Sequence, residues 1–248
     1  MIEREDRGAV RILRLAHGRA SALDLELLEA LSRAIAEFEQ DSPRAAVLTG
    51  SGSIFCAGID LKRLCSGGAP YVRRLLPALE SATAALFSCD KPIVAALNGH
   101  AVAGGYVLAC ACDRRLMAAG EARVGLPEMK VGVPFPTLVM EVLRAAVAPP
   151  MLQELLLMGG THAATGAVAA GLIDEVIARE DLVAAACDAA RRLSEAPPAA
   201  YASTKRNLRA PAIEAWQRHA ANDAAIIEQW CSDDTLAAIR AYVERTLG

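Results

Sequence analysis

The 248-residue chain reads as an α/β fold in which strands and helices alternate through residues 1–190, followed by a helical extension over 191–248. Three observations carry that reading. Short apolar runs recur between segments whose apolar residues fall at helical spacing, glycine and proline pairs punctuate the joints, and strand signals cease near residue 190.

Taken in order, Ala9-Val10-Arg11-Ile12-Leu13-Arg14-Leu15 is a strand, and residues 23–38 are a helix because Leu27, Leu28, Leu31, Ile35 and Phe38 share a face. Ala45-Ala46-Val47-Leu48 is a short buried strand, residues 52–58 a loop, residues 71–87 a second helix, and Ile93-Val94-Ala95-Ala96-Leu97 a strand before the Asn98-Gly99 turn. The run then passes Ala103-Gly104-Gly105 and continues as an apolar, helix-compatible segment to Asp113. Pro134-Phe135-Pro136 interrupts the pattern, after which residues 138–147 and 151–158 are helical. From Asp181 onward the pattern is helical, with breaks expected near Pro197-Pro198 and at Pro211.

Composition excludes several classes. Hydrophobic residues make up 54% and charged residues 22%, which fits neither a disordered nor a fibrous chain. A net charge of −3 with no Lys/Arg block argues against a nucleic-acid partner. Residues 92–112 are uncharged, yet Asn98, Gly99, His100, Gly104 and Gly105 interrupt them, so they read as a buried element and not a membrane span. The charged start, Met1-Ile2-Glu3-Arg4-Glu5-Asp6-Arg7, suits neither a secretory signal nor a transit peptide, so a cytoplasmic location is expected. Seven cysteines without C-x-x-C spacing point to reduced thiols, with Cys110 and Cys112 packing as small hydrophobes and no metal site.

The chemistry-bearing stretch is Ala103-Gly104-Gly105. Glycines there let backbone approach a ligand and present N–H groups to negative oxygen, where a helix start adds its dipole. Cys56-Ala57-Gly58-Ile59-Asp60 is a second glycine turn able to supply a partner N–H, and Pro127-Glu128 sets an ionisable group between apolar neighbours. Two donors and one base suggest enolate chemistry. Taken singly, the glycines are turn features and Glu128 a solvated side chain. His100 reads as a satisfied core or turn residue, and His17, His162 and His219 suggest no triad. Lys62 and Arg63 divide between a solvated face and a phosphate contact, and Trp216 and Trp230 read as packing anchors.

The order of three motifs changes the weighting. Phe55-Cys56-Ala57-Gly58-Ile59-Asp60-Leu61-Lys62 resembles the first fingerprint of the enoyl-CoA hydratase/isomerase, or crotonase, family. Asn98-Gly99-His100-Ala101-Val102-Ala103-Gly104-Gly105-Tyr106-Val107-Leu108-Ala109 with Cys112-Asp113 resembles the second, and Gly125-Leu126-Pro127-Glu128-Met129-Lys130-Val131-Gly132 the third. The segment Thr165-Gly166-Ala167-Val168-Ala169-Ala170-Gly171-Leu172-Ile173-Asp174 is also similar to the family's. The resemblance implies a crotonase-like spiral of repeated β-β-α units, assembled as a homo-oligomer (a trimer or dimer of trimers), with the helical extension serving assembly and covering the site. It implies an acyl-CoA thioester as substrate, with no cofactor beyond the CoA the substrate carries. It places an oxyanion hole on the backbone N–H groups of Ile59 and Gly104, a Cβ at 104 crowding the thioester. Substrate contacts fall at Ala57, Gly58, Asp60, Leu61, Lys62, Gly105, Val107 and Pro127, with residues 64–71 and the helix after them shaping the tail pocket.

Val107 departs from the hydratase pattern, which has a glutamate there, so Glu128 is the lone carboxylate expected at the reacting centre. Hydration benefits from two carboxylates, whereas one can shuttle a proton. The resemblance is therefore nearest to single-glutamate Δ3,Δ2-enoyl-CoA isomerases, with Glu128 moving a proton from C2 to C4 and desolvation beside Val107 and Phe135 raising its pKa. Alternatives on the same scaffold are a hydratase and an acyl-CoA hydrolase or decarboxylase; outside enzymes, a silent acyl-CoA-binding protein.

Overall fold

In the computed structural model, which describes residues 1–247, the chain alternates between two sheets as it advances. β1 (Ile2–Arg7) and β2 (Val10–Leu15) form an antiparallel hairpin turned at Gly8, whose φ of +63° suits glycine. α1 (Leu25–Gln40) leads to β3 (Ala45–Gly50), parallel to β2. Three β-β-α turns follow: β3 with β4 (Ile54–Cys56) and α2 (Leu61–Ser88); β5 (Ile93–Leu97) with β6 (His100–Val102) and α3 (Gly104–Ala111); β7 (Arg114–Ala118) with β8 (Arg123–Gly125) and α4 (Glu128–Val131). Each turn gives its first strand to a sheet ordered β1-β2-β3-β5-β7-β10 and its second to a sheet ordered β4-β6-β8-β9. The expected spiral is present. α5 (Thr137–Ala146) and α6 (Pro149–Met158) precede β9 (Thr161–Ala163), α7 (Ala164–Ala169) and β10 (Glu175–Ile177). α8 (Leu182–Leu193), α9 (Pro198–His219), α10 (Ala221–Cys231) and α11 (Asp233–Leu247) complete the chain.

Every residue of β3 and β5 is buried because helices cover both faces of their sheet. Side chains alternate across a strand, so Val47, Val94 and Ala96 meet Leu182, Ala186 and Ala190 of α8, while Leu48, Ala95 and Leu97 face the larger core with Leu28 and Leu31 of α1. Trp230, Leu236 and Ile239 join that larger core, so α10 and α11 share it.

Several sequence expectations need correction. Residues 2–7 form a strand: an edge strand bearing Glu3, Arg4, Glu5 and Asp6 has no apolar alternation to betray it, and those charges suit an unpaired edge. α2 begins at Leu61 instead of residue 71, because Asp60 caps it by accepting from the Arg63 N–H at 2.9 Å; only Gly68, at φ +57° and ψ −155°, kinks it. α1 begins at Leu25 under an Asp24 cap, which frees Leu23 for another role. Pro211 lies inside a continuous α9 and does not break it. Six short strands (β4, which lies inside the expected 52–58 loop, β6, β7, β8, β9 and β10) escape the sequence reading, each only three to five residues long. No described helix is long and apolar enough to cross a membrane.

α9 is fastened to the spiral through a buried ion cluster. Asp113 accepts from Lys205 Nζ at 2.7 Å, Arg209 Nη2 at 2.8 Å and the Ile93 N–H at 2.7 Å, and all three charged side chains are at most 11% exposed. Removing the shared acid leaves two buried cations unpaired, which is costlier than never having buried the cluster. Asp113→Ala is therefore expected to lower unfolding free energy by about 3–5 kcal/mol, read as a drop in the urea midpoint.

Candidate active site

The strip 20–24 holds one side of the site. Ala57 N–H donates to the Ala20 carbonyl at 3.1 Å, Leu23 N–H to the Gly58 carbonyl at 2.8 Å, and Asp60 N–H to the Leu23 carbonyl at 3.0 Å. Leu23 thus bridges Ile59 in parallel fashion, using the residues on either side of it. Backbone amides alternate in direction along an extended strip, so the Ile59 N–H faces away from Leu23 and no described residue accepts it.

The second amide starts α3. The first N–H groups of a helix have no acceptor within it, and that of Gly104 has none elsewhere among the described residues. Gly105 is forced by packing: a Cβ there would sit 2.2 Å from the Cys56 carbonyl oxygen. A Cβ built on Gly58, at φ +81°, would lie 3.1 Å from Gly104 N, which shows how closely the two turns approach. Gly58 and Gly105 therefore bring the segments together and do not themselves line the cavity, contrary to the contacts expected of them. A Cβ on Gly104 would first meet Leu23 Cδ1 at 2.9 Å and would stand 3.9 Å from Ile59 N. Ala103, just before that amide, has φ +52° and ψ −134°, a region scarcely open to a residue with a Cβ.

Glu128 opens α4, and its side chain is buried, with Oε2 lacking any hydrogen-bond partner. Burial pushes its carboxyl up to about 8, opposed only weakly by its own backbone N–H. Val107 is 1% exposed and lines the same cavity. This cavity, of about 630 Å³, also takes in Ala57, Ile59, Asp60, Leu61, Lys62, Gly104 and Pro127. Nine of the eleven residues singled out from the sequence thus meet at one chamber, all but Gly58 and Gly105.

Charges at the rim differ in availability. Arg63 is held by Asp24 at 2.8 Å and by both oxygens of Glu26, so it is spent on fixing α1 to α2. His17 also contacts Asp24, at 2.7 Å. Lys62 and Arg19 are exposed, line the cavity and have no ion pair among the described residues. His100 accepts from the Arg123 N–H at 3.2 Å, a satisfied strand position. Two contributions were unread in sequence. Arg19 carried no motif, and Trp230, taken as a packing anchor, lines the chamber although it lies about a hundred residues beyond Glu128. Residues 64–71 are not part of its wall, but Leu79 of the helical stretch after them is, as are Phe135, expected beside Glu128, and Val139.

Residues 5–247 match the enoyl-CoA hydratase/isomerase family. A carnitinyl-CoA dehydratase of Salmonella typhi is 31% identical over 205 residues, 82% of this chain and 78% of that protein. The structure of a Mycobacterium tuberculosis enoyl-CoA isomerase superimposes with a TM-score of 0.83 at 29% identity, covering 90% of this chain and 97% of that one. Human mitochondrial Δ3-Δ2-enoyl-CoA isomerase shares the fold with a TM-score of 0.94 at 24% identity, covering 98% and 97%.

The raised carboxyl has a consequence for stability. The folded state keeps a proton on Glu128 that the unfolded chain releases from its ordinary value of 4.5 upward, so stability falls as pH climbs from there through about 8. Glu128→Gln cannot ionise. Its melting temperature should equal that of the parent near pH 4 and exceed it increasingly toward pH 9, the gain in unfolding free energy being bounded at roughly 5 kcal/mol; equal melting across that range would show the carboxyl to be solvated.

Proposed function

The chain belongs to the enoyl-CoA hydratase/isomerase family, and we propose that within it this protein is a Δ3,Δ2-enoyl-CoA isomerase working through one carboxylate. The observation that carries the reading is the pairing of buried Glu128 with apolar Val107 in a chamber whose only other carboxylate, Asp60, is committed to capping α2. A 3-enoyl thioester sets its carbonyl oxygen between the N–H groups of Ile59 and Gly104. Glu128 takes a C2 proton, the negative charge passes to the thioester oxygen, and the same carboxyl returns the proton at C4. Each amide donor contributes about 3 kcal/mol to lowering the barrier, and a positioned base about 10²- to 10⁴-fold. A carboxyl titrating near 8 suits a group that must both accept and release a proton near neutrality.

The rest of the chamber fits the same substrate. Lys62 and Arg19 at the exposed rim supply positive charge for CoA phosphates, Ala57 to Leu61 offer backbone to the pantetheine, and the apolar interior accepts the acyl tail. α6 exposes Leu157 at 65% and Met158 at 70%, an apolar face suited to a homo-oligomer, trimer or dimer of trimers. The 31% identity to a carnitinyl-CoA dehydratase favours, as a second reading, adding or removing water. That chemistry would have to recruit Asp60 as its second carboxylate.

Matched 3-hexenoyl-CoA and 2-hexenoyl-CoA, with products resolved by mass, separate the two. Isomerisation of the 3-enoyl compound, at unchanged mass and read by the absorbance of the conjugated 2-enoyl thioester, is expected; a gain of water assigns a hydratase, free CoA a hydrolase, carbon dioxide from a carboxyacyl-CoA supplied in parallel a decarboxylase, and binding without turnover a silent module. Glu128→Gln should reduce isomerisation by at least about 10²-fold, while Asp60→Asn leaves the proton shuttle running. In the parent, kcat/KM should rise with pH through about 8, as the free protein's Glu128 becomes the base. Undiminished turnover in Glu128→Gln overturns the proton shuttle.

A further inference from the structure

Trp230 is carried by α10, in the helical extension, yet it forms part of the chamber wall. Arg19 and Lys62 are exposed, whereas Leu79, Val139 and Trp230 are 4%, 2% and 3% exposed. These three buried residues come from α2, α5 and α10, so those helices meet at the chamber wall. The indole is fixed there: its Nε1–H donates to the Pro134 carbonyl at 2.9 Å.

Hydrogen bonds behind that wall tie α10 to α5 and α9 to α2. Asp223 of α10 accepts from the Thr137 N–H at the start of α5 at 2.8 Å. Glu80, beside Leu79 on α2, accepts from Trp216 Nε1–H of α9 at 2.5 Å. Neither of these carboxylates lines the chamber, so its wall beside Leu79, Val139 and Trp230 is apolar.

We propose that Trp230 is the end wall of the acyl channel, and that it limits this protein to uncharged, straight acyl tails of short to medium length whose terminal methyl meets the indole. The proposal rests on the reading of the chamber as an acyl-CoA site. It is independent of which reaction Glu128 performs. Burying each further methylene tightens binding about fourfold, until the tail reaches the wall and the gain stops.

Saturated acyl-CoAs from butanoyl to hexadecanoyl, which bind without reacting, test this by titration calorimetry. In the parent the affinity should climb about fourfold per methylene and then break. Trp230→Leu should move the break to longer tails; Trp230→Phe, which keeps an aromatic packing group, serves the same purpose should the leucine variant melt early. A Trp216→Phe background leaves Trp230 as the sole tryptophan, and its emission should respond only to tails near the break length. A parent series that climbs to hexadecanoyl without a break overturns the proposal, as does an unmoved break in a folded Trp230 variant. Absence of turnover with 3-enoyl-CoA defeats the isomerase reading alone, and absence of binding by any acyl-CoA defeats the site itself.

Discussion

A carboxyl oxygen sealed in an apolar chamber without a hydrogen-bond partner is the constraint on which this structure turns. Leaving such an atom unsatisfied costs about 1–3 kcal/mol, and the fold tolerates it because three spiral turns and the C-terminal helices close an otherwise well-packed core around Glu128. Nothing nearby shares its proton. Val107, 1% exposed in the wall of the same chamber, adds no second carboxylate beside it.

The backbone around the chamber holds strain of its own. Among the described residues, two non-glycines have positive φ, Ser21 at +43° and Ala103 at +52°. One lies in the strip that pairs with residues 57–60, the other immediately before the Gly104 amide. Such conformations cost about 1–3 kcal/mol each and persist where surrounding contacts over-determine them. Here those contacts are the Ala103 N–H to Gly125 carbonyl bond at 2.9 Å and the Ser21 hydroxyl to Leu15 carbonyl bond at 3.0 Å; the Ser21 strip braces the turn that bears the Ile59 N–H, and Ala103 precedes the Gly104 N–H.

How much of this was legible in the sequence follows from what each signal depends on. The motif glycines and Glu128 sit in local patterns, so the chamber's centre could be read residue by residue, as could the buried strands at 45–48 and 93–97. The short strands of the second sheet could not, because three residues hold too little periodicity to announce themselves, and their stability comes from neighbours far along the chain. Gly58 and Gly105 were read as substrate contacts when their missing side chains serve segment-to-segment approach, a distinction only a third dimension reveals. Trp230 was invisible as a cavity residue for the same reason: its helix pattern is that of an ordinary packed face.

The proposed proton shuttle draws on residues 57–128, whereas the proposed end wall of the acyl channel belongs to a helix beginning at residue 221. The two are joined by packing and by single hydrogen bonds such as the one from Trp230 to Pro134, not by shared catalytic groups. Reaction type and molecular ruler are thus written in separate passages of one polypeptide. A lineage can therefore retune which metabolite it handles by drift in its final helices without disturbing the step it performs, and a chimaera exchanging those helices would inherit the donor's size preference with the recipient's chemistry.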